Sequence, residues 1–419
     1  MCKAAARAAV CRGVLTKNRL LTAADISHNA CRSLVSRPAR YDRHAKPDTC
    51  EERTSPLLPP SIERLDPPSR ATVNQALDTS GNRYLHAVCR QSGYAARAID
   101  AIDRLKADVN TVNTDGYSPL RYAIEYGDSE TVAALLKRGA RTSYNVNGKT
   151  YNAVTAAILR GRGDILDAVL RGGGAALVNS PGIDTRSEVE KTPALVLAVQ
   201  KYHYDLIPLL ARAGADLNRA SDTNGMTPLM QAAQNDAAGV IQTLARLGAD
   251  VNAAGASGQT ALHLAAAHND HRVSVMDVLL ALGADVNVRD GKGRTPLMLA
   301  IEANNTRMAT KLIAAGAQLD VQNAQDNNES ALMIAARKGH GDAAALLLKA
   351  GADVLLCDRF NRTAAKIAED HPGTNRSQYD PMMGFSAPQP KTMLQEAEKK
   401  AMAQKFEGQY RDARRRHGP

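Results

Sequence analysis

Apolar residues in the middle of the chain fall into paired short clusters. Each cluster is spaced to form one face of a helix, and polar, glycine-containing stretches separate the clusters. In 258–299 the two clusters are Leu262–Ala265 and Leu279–Leu280. Gly283 follows the second cluster, where a helix commonly ends in a left-handed residue. The glycine-rich stretch Asp290–Gly293 comes next and is typical of a tight turn. The pattern predicts two short amphipathic helices followed by a turn.

The same pattern returns at a nearly fixed interval along the chain. Thr260 and Thr295 hold equivalent positions and are 35 residues apart. Most units open with a hydroxyl residue followed by Pro or Ala, at Ser118, Thr192, Thr227, Thr260, Thr295, Ser330 and Thr363. Most units close with Gly-Ala-Asp or a variant of it, at Gly214, Gly248, Gly283, Gly316 and Gly351. A hydroxyl cap followed by proline favours the start of a helix. A unit this short must stack on its neighbours to bury its apolar face, which predicts a solenoid.

The two recurring phrases together resemble the ankyrin repeat, which reads T-P-L-H-x-A near its start and G-A-D-V-N near its end. The resemblance covers about residues 81–370. It implies an all-α, ankyrin-type α-solenoid of about eight helix–turn–helix repeats with short β-hairpin fingers, plus a capping half-repeat. The half-repeat begins at Thr363 and carries Lys366 and Glu369, so we expect its outer face to stay in solvent.

The third unit, which begins near Gly148, departs most from the pattern. Its Thr150 is followed by Tyr151 instead of proline, and Gly172–Gly174 replaces the usual single glycine. The extra residues of Asn179–Glu190 predict an enlarged finger. Because each unit of a solenoid gains support only from its neighbours, we expect the stack to be weakest here.

The basic residues of the chain are concentrated at its two ends. Residues 1–70 hold 13 Lys and Arg against 7 Asp and Glu, residues 391–419 hold 8 against 4, and residues 71–390 hold 32 of each. The repeats are therefore not predicted to bind nucleic acid through net charge. The sequence predicts a basic disordered arm and Pro-rich linker over 1–70, the solenoid over 71–372, a linker over 373–390 and a basic C-terminal helix over 391–419.

Cysteine usage and the N-terminal composition bear on the cellular location. Six cysteines without a C-x-x-C pair or zinc-type spacing are typical of a reducing compartment. No stretch of about 18 apolar residues predicts a membrane span. We predict a cytoplasmic protein. Residues 1–24 contain five Lys and Arg and no acid, so organelle targeting, secretion and a start codon placed too early stay open as alternatives.

Three stretches that resemble catalytic or ligand motifs fit the repeat pattern better. Asn147–Thr150 resembles the end of a phosphate-binding loop, but Ser143 stands where that motif requires glycine. The three histidines within His263–His271 lack the further ligands of a structural zinc site. Arg162–Asp164 spells an adhesion tripeptide, yet it lies at the turn between the two helices of a unit. We therefore predict no enzyme activity, no metal and no cofactor.

The resemblance implies a partner-binding surface on the finger tips and the exposed side of the first helices. It places there Tyr117, Glu125, Tyr126, Lys191, Met226, Gln234, Asn235, Gln259, His268, Arg294, Glu302, Glu329, Arg337 and Lys338. The primary hypothesis is a monomeric, non-catalytic protein–protein interaction scaffold that binds one or more proteins through the concave face of the stack. The alternative is a tether to nucleic acid or an anionic membrane through the basic N- and C-terminal segments. The C-terminal residues of that tether are Phe406, Tyr410, Arg411, Arg414, Arg415 and Arg416.

Overall fold

A computed structural model describes residues 68–146, 149–180, 192–267, 273–371 and 390–417. Nearly all of the predicted N-terminal arm and of the predicted linker at 373–390 lies outside the described residues. So do residues 181–191, which include most of the predicted enlarged finger.

Short helices follow one another in pairs along the described chain. The first helices of the pairs are α1 (Tyr84–Cys89), α3 (Pro119–Tyr126), α5 (Ala153–Leu159), α7 (Ala194–Gln200), α9 (Pro228–Gln234), α11 (Ala261–Ala267), α13 (Pro296–Glu302) and α15 (Ala331–Lys338). The second helices are α2 (Ala95–Asp103), α4 (Ser129–Lys137), α6 (Gly163–Arg171), α8 (Ile207–Arg212), α10 (Ala238–Arg246), α12 (Val273–Ala281), α14 (Thr306–Ala314) and α16 (Gly341–Ala350). The helices α17 (Ala364–Asp370) and α18 (Pro390–His417) complete the described chain, and 3-10 turns lie at Gly174–Leu177 and Tyr204–Leu206.

Stacking of neighbouring units builds the core. Each first helix packs against the second helix of its own unit and against the first helix of the next, as α9 does against α10 and α11. Second helices also stack on one another, as α10 does on α12. The buried apolar side chains join into one continuous cluster along the stack. These helices confirm the predicted mostly helical repeat fold. Stacking is needed because no unit could bury this apolar surface alone.

Five of the seven hydroxyl residues that were predicted to start helices cap them with a side-chain hydrogen bond. The prediction is wrong for Thr192, because α7 begins after Pro193 without a side-chain cap. Thr227 Oγ1 accepts a hydrogen bond from the N–H of Met230 at 3.2 Å, and Thr295 Oγ1 accepts one from Met298 at 3.3 Å. The same kind of cap starts three further first helices, at Ser118, Ser330 and Thr363. Each cap satisfies a backbone N–H that the first turn of a helix leaves unpaired.

A row of side-chain to backbone hydrogen bonds links the loops that follow the second helices. Asp250 Oδ1 accepts from the N–H of Asn252 in its own loop, and Asn252 Oδ1 accepts from the N–H of Asp285 in the next loop, both at 2.8 Å. Equivalent bonds between loops join Asn74 to Asp108, Asn110 to Arg141, Asn179 to Asp216, Asn218 to Asp250, Asn287 to Gln318 and Asp320 to Asp353. The recurring Asp and Asn therefore tie each unit to the next.

The third unit begins its first helix two residues later than the sequence predicted. Asn152, and not Thr150, caps α5, with its Oδ1 accepting from the N–H groups of Val154 at 2.9 Å and Thr155 at 3.4 Å. Thr150 lies in a strand instead. Asparagine caps a helix as well as threonine does, but no proline follows it here, so the sequence pattern concealed the true start.

The finger before α5 is an antiparallel hairpin of β1 (Ser143–Val146) and β2 (Lys149–Asn152). Tyr144 pairs with Tyr151 across it, with ring centroids 4.8 Å apart. In the rest of the described chain the fingers are turns, and the one further strand-type contact is an isolated bridge between Asn323 and Glu329.

Local geometry accounts for all three consecutive glycines after α6. Gly173 has a φ of +103°, in the left-handed region. A Cβ on Gly172 would lie 2.5 Å from Leu136 Cδ1, and a Cβ on Gly174 would lie 2.7 Å from the carbonyl oxygen of Val169. Larger residues are thus disfavoured at all three positions, one by its backbone conformation and two by their neighbours.

The row of bonds between loops is interrupted at the same place. Ser143 stands where other units carry the linking Asn or Asp, and within the described residues no such bond joins it to the loop that contains Gly174–Leu177. The second and third units therefore lack the loop-to-loop bond that joins other neighbouring units.

The helix α18 covers the end of the stack. Its Leu394 is 1% exposed and packs in the core, and α18 contacts both α17 and α16. Gln395 Nε2 donates a hydrogen bond to the carboxylate of Glu369 on α17. The expectation that the outer face of α17 stays in solvent is therefore wrong for the part under α18, although Lys366 remains exposed.

Replacing Gly173 with alanine should destabilise the protein by about 1 kcal/mol or more, because alanine strongly disfavours the left-handed conformation found there. Chemical denaturation measures the change. Gly239→Ala is the control, since Gly239 lies in helix α10 with no atom within 4 Å of an added Cβ. That variant should keep or raise stability. A stabilised Gly173→Ala protein would contradict the assignment.

Amide hydrogen exchange should be faster in α5 and α6 than in α11 and α12. The reason is that the third unit lacks the bond between loops at Ser143 and carries three glycines that raise the entropy of the unfolded chain. Exchange measured by mass spectrometry on peptides from 151–170 and 262–280 compares the two pairs. Equal protection would show that the interruption has no effect on local stability.

Candidate functional site

The motif histidines are used inside the framework. His263 Nδ1 accepts from the N–H of Thr260 at 3.2 Å, and His263 Nε2 lies 3.0 Å from the carbonyl oxygen of Arg294 in the next unit. His86 makes the matching bonds to Arg83 and Tyr117. Burial lowers the pKa of His263 and lowers that of His86 to about 4, so both rings are neutral near pH 7. Within the described residues no group of three or more His, Cys, Asp or Glu is placed to hold a metal. His268 and His271 lie outside them.

An arginine buried among tyrosines lies beneath the face of the second and third units. Arg121 replaces the motif histidine, its side chain is 1% exposed, and its guanidinium lies 3.8 Å from the Tyr117 ring centroid and 5.1 Å from that of Tyr151. Burial alone would lower the pKa of Arg121, but Glu125 and the two tyrosines raise it overall, so the side chain stays charged. A fixed positive charge among aromatic rings therefore lies beneath this part of the face.

The carboxylate of Glu125 joins two arginines from adjacent units. Arg121 Nε donates to its Oε1 at 3.0 Å, and Arg160 Nη2 donates to its Oε2 at 3.1 Å. The Glu125 side chain is only 5% exposed, whereas the Arg160 side chain is 36% exposed. Glu125 thus fixes the position of an arginine that solvent and partners can reach.

Amide side chains dominate the exposed side of α9 in the fifth unit. Gln231 Nε2 donates to Gln234 Oε1 at 3.3 Å and to Asn235 Oδ1 at 3.1 Å, while Asn224 Nδ2 from the finger donates to Gln231 Oε1 at 3.3 Å. Asn235 Nδ2 also donates to the carbonyl of Val199 in the preceding unit at 2.9 Å. This zone offers neutral donors and acceptors in place of charges.

Ion pairs between and within units occupy the face from the seventh unit onwards. The Glu302 carboxylate lies 3.6 Å from Arg294 Nη1 and 3.5 Å from Lys338 Nζ, which belongs to the next unit. Arg337 Nη2 lies 2.9 Å from the buried carboxylate of Glu329. The last part of the face is therefore a network of charges of both signs.

The structure gives the candidate partner-binding residues different environments. Tyr117 and Glu329 are buried, and the Glu125 side chain is nearly so, which gives all three a structural contribution. Half-buried residues are Tyr126, Met226, Asn235, Gln259, Arg294, Glu302 and Arg337, and exposed residues are Gln234 and Lys338. Lys191 and His268 lie outside the described residues. The binding role of these residues stays a prediction.

Sequence reasoning missed Arg121, Arg160, Asn224 and Gln231 on this face. A signal for Arg121 was present, since it stands at the histidine position of the repeat motif. The other three gave none, because their importance comes from hydrogen bonds to residues of the finger or of the neighbouring unit.

Comparison with protein families agrees with this arrangement. The model described as "Ankyrin repeats (3 copies)" matches residues 175–255, 195–290, 239–323 and 262–358, and the model "Ankyrin repeat" matches residues 115–150. The chain belongs to the ankyrin-repeat family. The resemblance stated from the sequence is confirmed. No curated protein matches the chain significantly.

Ankyrin repeats are in general protein–protein interaction modules, and ankyrin-repeat proteins are typically non-enzymatic. The family models leave 81–114 and 151–174 unmatched, yet α1, α2, α5 and α6 stack on their neighbours as the other helices do. The helical stack in the structure therefore extends beyond the segments that the family models recognise.

Replacing Glu125 with glutamine should lower the free energy of unfolding by about 2 to 4 kcal/mol, since it removes a negative charge that is hydrogen-bonded to the buried Arg121. Glu302→Gln is the matched control. Its carboxylate is 37% exposed, so its ion pairs should contribute less than about 1 kcal/mol. Urea denaturation measures both. Similar losses in the two variants would show that Glu125 is not the buried bridge described above.

Proposed function

We propose that the chain is a non-catalytic scaffold that binds a protein partner through the concave face of its ankyrin stack. In this proposal the stack has eight repeats and a capping half-repeat, and α18 is part of the cap. The fingers and the exposed side of the first helices form the face. Rigid stacking fixes that face before the partner arrives, which reduces the conformational entropy lost on binding.

The observation that supports this proposal is a uniform framework under a varied surface. Caps, core residues and bonds between loops repeat from unit to unit. The side chains on the face do not repeat. They change from Arg160 beside Tyr126, through amides around Gln234, to ion pairs around Glu302. A surface with distinct zones can position one partner in a single register, because each zone favours different chemistry on the partner.

The three zones also define what the partner would carry. A carboxylate would suit Arg160 beside Tyr126, whose ring centroid lies 5.8 Å from that guanidinium. Backbone amides or polar side chains would suit the zone around Gln234. Alternating charges would suit Arg294, Glu302 and Lys338. Half-buried Met226, at the finger beside the amide zone, adds apolar contact area.

Site-specific photo-crosslinking tests this proposal on the full chain. Benzoylphenylalanine in place of exposed Gln234 on α9 should crosslink a protein partner in cells, whereas the same residue in place of exposed Thr310 on the second helix α14 should not. Gln234→Arg should then weaken binding of the purified partner at least tenfold, since it brings a charge into a neutral zone. Equal crosslinking from both positions would contradict binding through this face.

A tether through the C-terminal helix is the second candidate. Met402 and Phe406 are 44% and 69% exposed on α18 beyond the part that packs on the stack. None of the helices in the described ranges is long and apolar enough to span a membrane. Binding to anionic vesicles or to nucleic acid that falls steeply with added salt, and that is lost on removal of 402–419, would favour this candidate over the concave face.

A further inference from the structure

Tyr202 adopts a backbone conformation that its residue type disfavours. It is the left-handed residue between α7 and α8, with a φ of +63°. The N–H of Tyr202 donates to the carbonyl of Val199, and the following N–H donates to that of Ala198. The same turn occurs in other units with Gly161, Asp236, Asn304 and Gly339 at the left-handed position. Glycine, Asn and Asp tolerate this conformation, whereas a bulky aromatic residue is strained in it.

Packing within the described residues does not account for this tyrosine. Its side chain is 58% exposed, and the ring contact that it makes is an edge-on one with Tyr204, at a centroid distance of 6.1 Å. A residue that is strained and yet mostly in solvent contributes little to the fold. Such positions are concentrated at sites where a protein binds something else.

A groove opens beside Tyr204, whose ring also contacts that of Tyr202. It has a volume of about 440 Å³ and lies between the start of α8 and the start of α10. Half-buried Tyr204 supplies the larger apolar side chain of its wall, while Ile207 and Val240, which also line it, are buried. The segment Ala237–Gly239, also in its wall, has short side chains where the equivalent segment of the seventh unit reads Asn305–Arg307. Since a cavity of about 150 Å³ holds a benzene molecule, this open groove has room for an apolar side chain.

The charge at the groove is negative. Asp236 is the charged residue of its lining, and Asp205 lies exposed in the 3-10 turn after Tyr204. Among the described residues neither carboxylate forms an ion pair within 4.0 Å. Lys201 is the neighbouring cation in sequence, and Asp236 is the carboxylate that lines the groove itself. An occupant with a basic group beside an apolar one would complement this surface.

The geometry points to Tyr202 and this groove as a second protein-docking site, which receives an apolar side chain of a partner segment and places a Lys or Arg of that segment against Asp236. The site lies at the C-terminal end of the first helices, whereas the fingers lie at their N-terminal end. It is thus away from the fingers and adjoins the concave face at Asn235, and it gives a scaffold a second place to hold a protein. Tyr202 serves as the exposed aromatic anchor.

Selection of displayed random peptides against the full chain tests this site, because the peptides themselves are the probe and the natural partner is not needed. Peptides that compete with one another for the groove should share a large apolar residue next to Lys or Arg. Tyr202→Gly should weaken their binding at least tenfold, as should Asp236→Asn, which removes the charge and keeps a residue that tolerates the left-handed turn. Asn304→Gly, at the equivalent turn of the seventh unit, should leave the affinity unchanged.

Thermal melting distinguishes docking from a structural role for Tyr202. Because glycine is unstrained in this turn, the Tyr202→Gly protein should melt at the same temperature as the original or a few degrees higher, while it loses the peptides. A clear fall in melting temperature would make Tyr202 structural and overturn the inference. So would selected peptides that lack a basic residue, or whose binding ignores both Tyr202 and Asp236. Peptides sensitive only to Gln234→Arg would support the concave face and reject the groove.

Discussion

The structure depends on the inability of any single unit to bury its own apolar face. A pair of seven- to nine-residue helices such as α9 and α10 leaves its apolar side open unless α7 and α11 cover it. Isolated helices of this length are unstable in water, so their stability comes from the neighbours. Polar contacts reinforce the same dependence, since Asn218 and Asn252 each bind a backbone N–H of the following loop. Stability is therefore local, and each interface contributes its own share.

This dependence explains which parts of the fold the sequence could predict. A helix that must start at a fixed place needs a cap. Thr227 and Thr295 supply it, and the proline after each makes the helix start recognisable in the sequence. Asn152 caps α5 without a following proline, so the start of that helix was predicted two residues too early. The sequence shows that the linking Asn residues recur at equivalent positions of the repeats. Their role was not visible there, because the partner N–H lies in the next unit and only the packed stack brings the two together.

The candidate face was less predictable for a related reason. Motif position assigns Tyr117 and Glu329 to the surface, but each is buried by a contact that the motif does not contain. Tyr117 lies under the guanidinium of Arg121, and Glu329 pairs with Arg337 from the following helix. The position of a residue in the repeat thus predicts which side of the stack its backbone lies on. Whether a partner can reach it depends on which long side chains lie over it, and those choices differ from unit to unit.

Local stability also explains how the molecule tolerates a strained residue at Tyr202. In a globular core, strain at one turn spreads into many shared contacts, because close packing transmits it. In a stack, α7 and α8 contact only the units on either side, so the destabilising effect stays within the third to fifth units. Glycine is readily available at this turn, as Gly161 and Gly339 show. Substitution by glycine would remove this local strain. A turn with a purely structural role would therefore be expected to carry glycine instead of tyrosine. The presence of this strain beside an apolar, acidic groove is the physical argument for a role in binding.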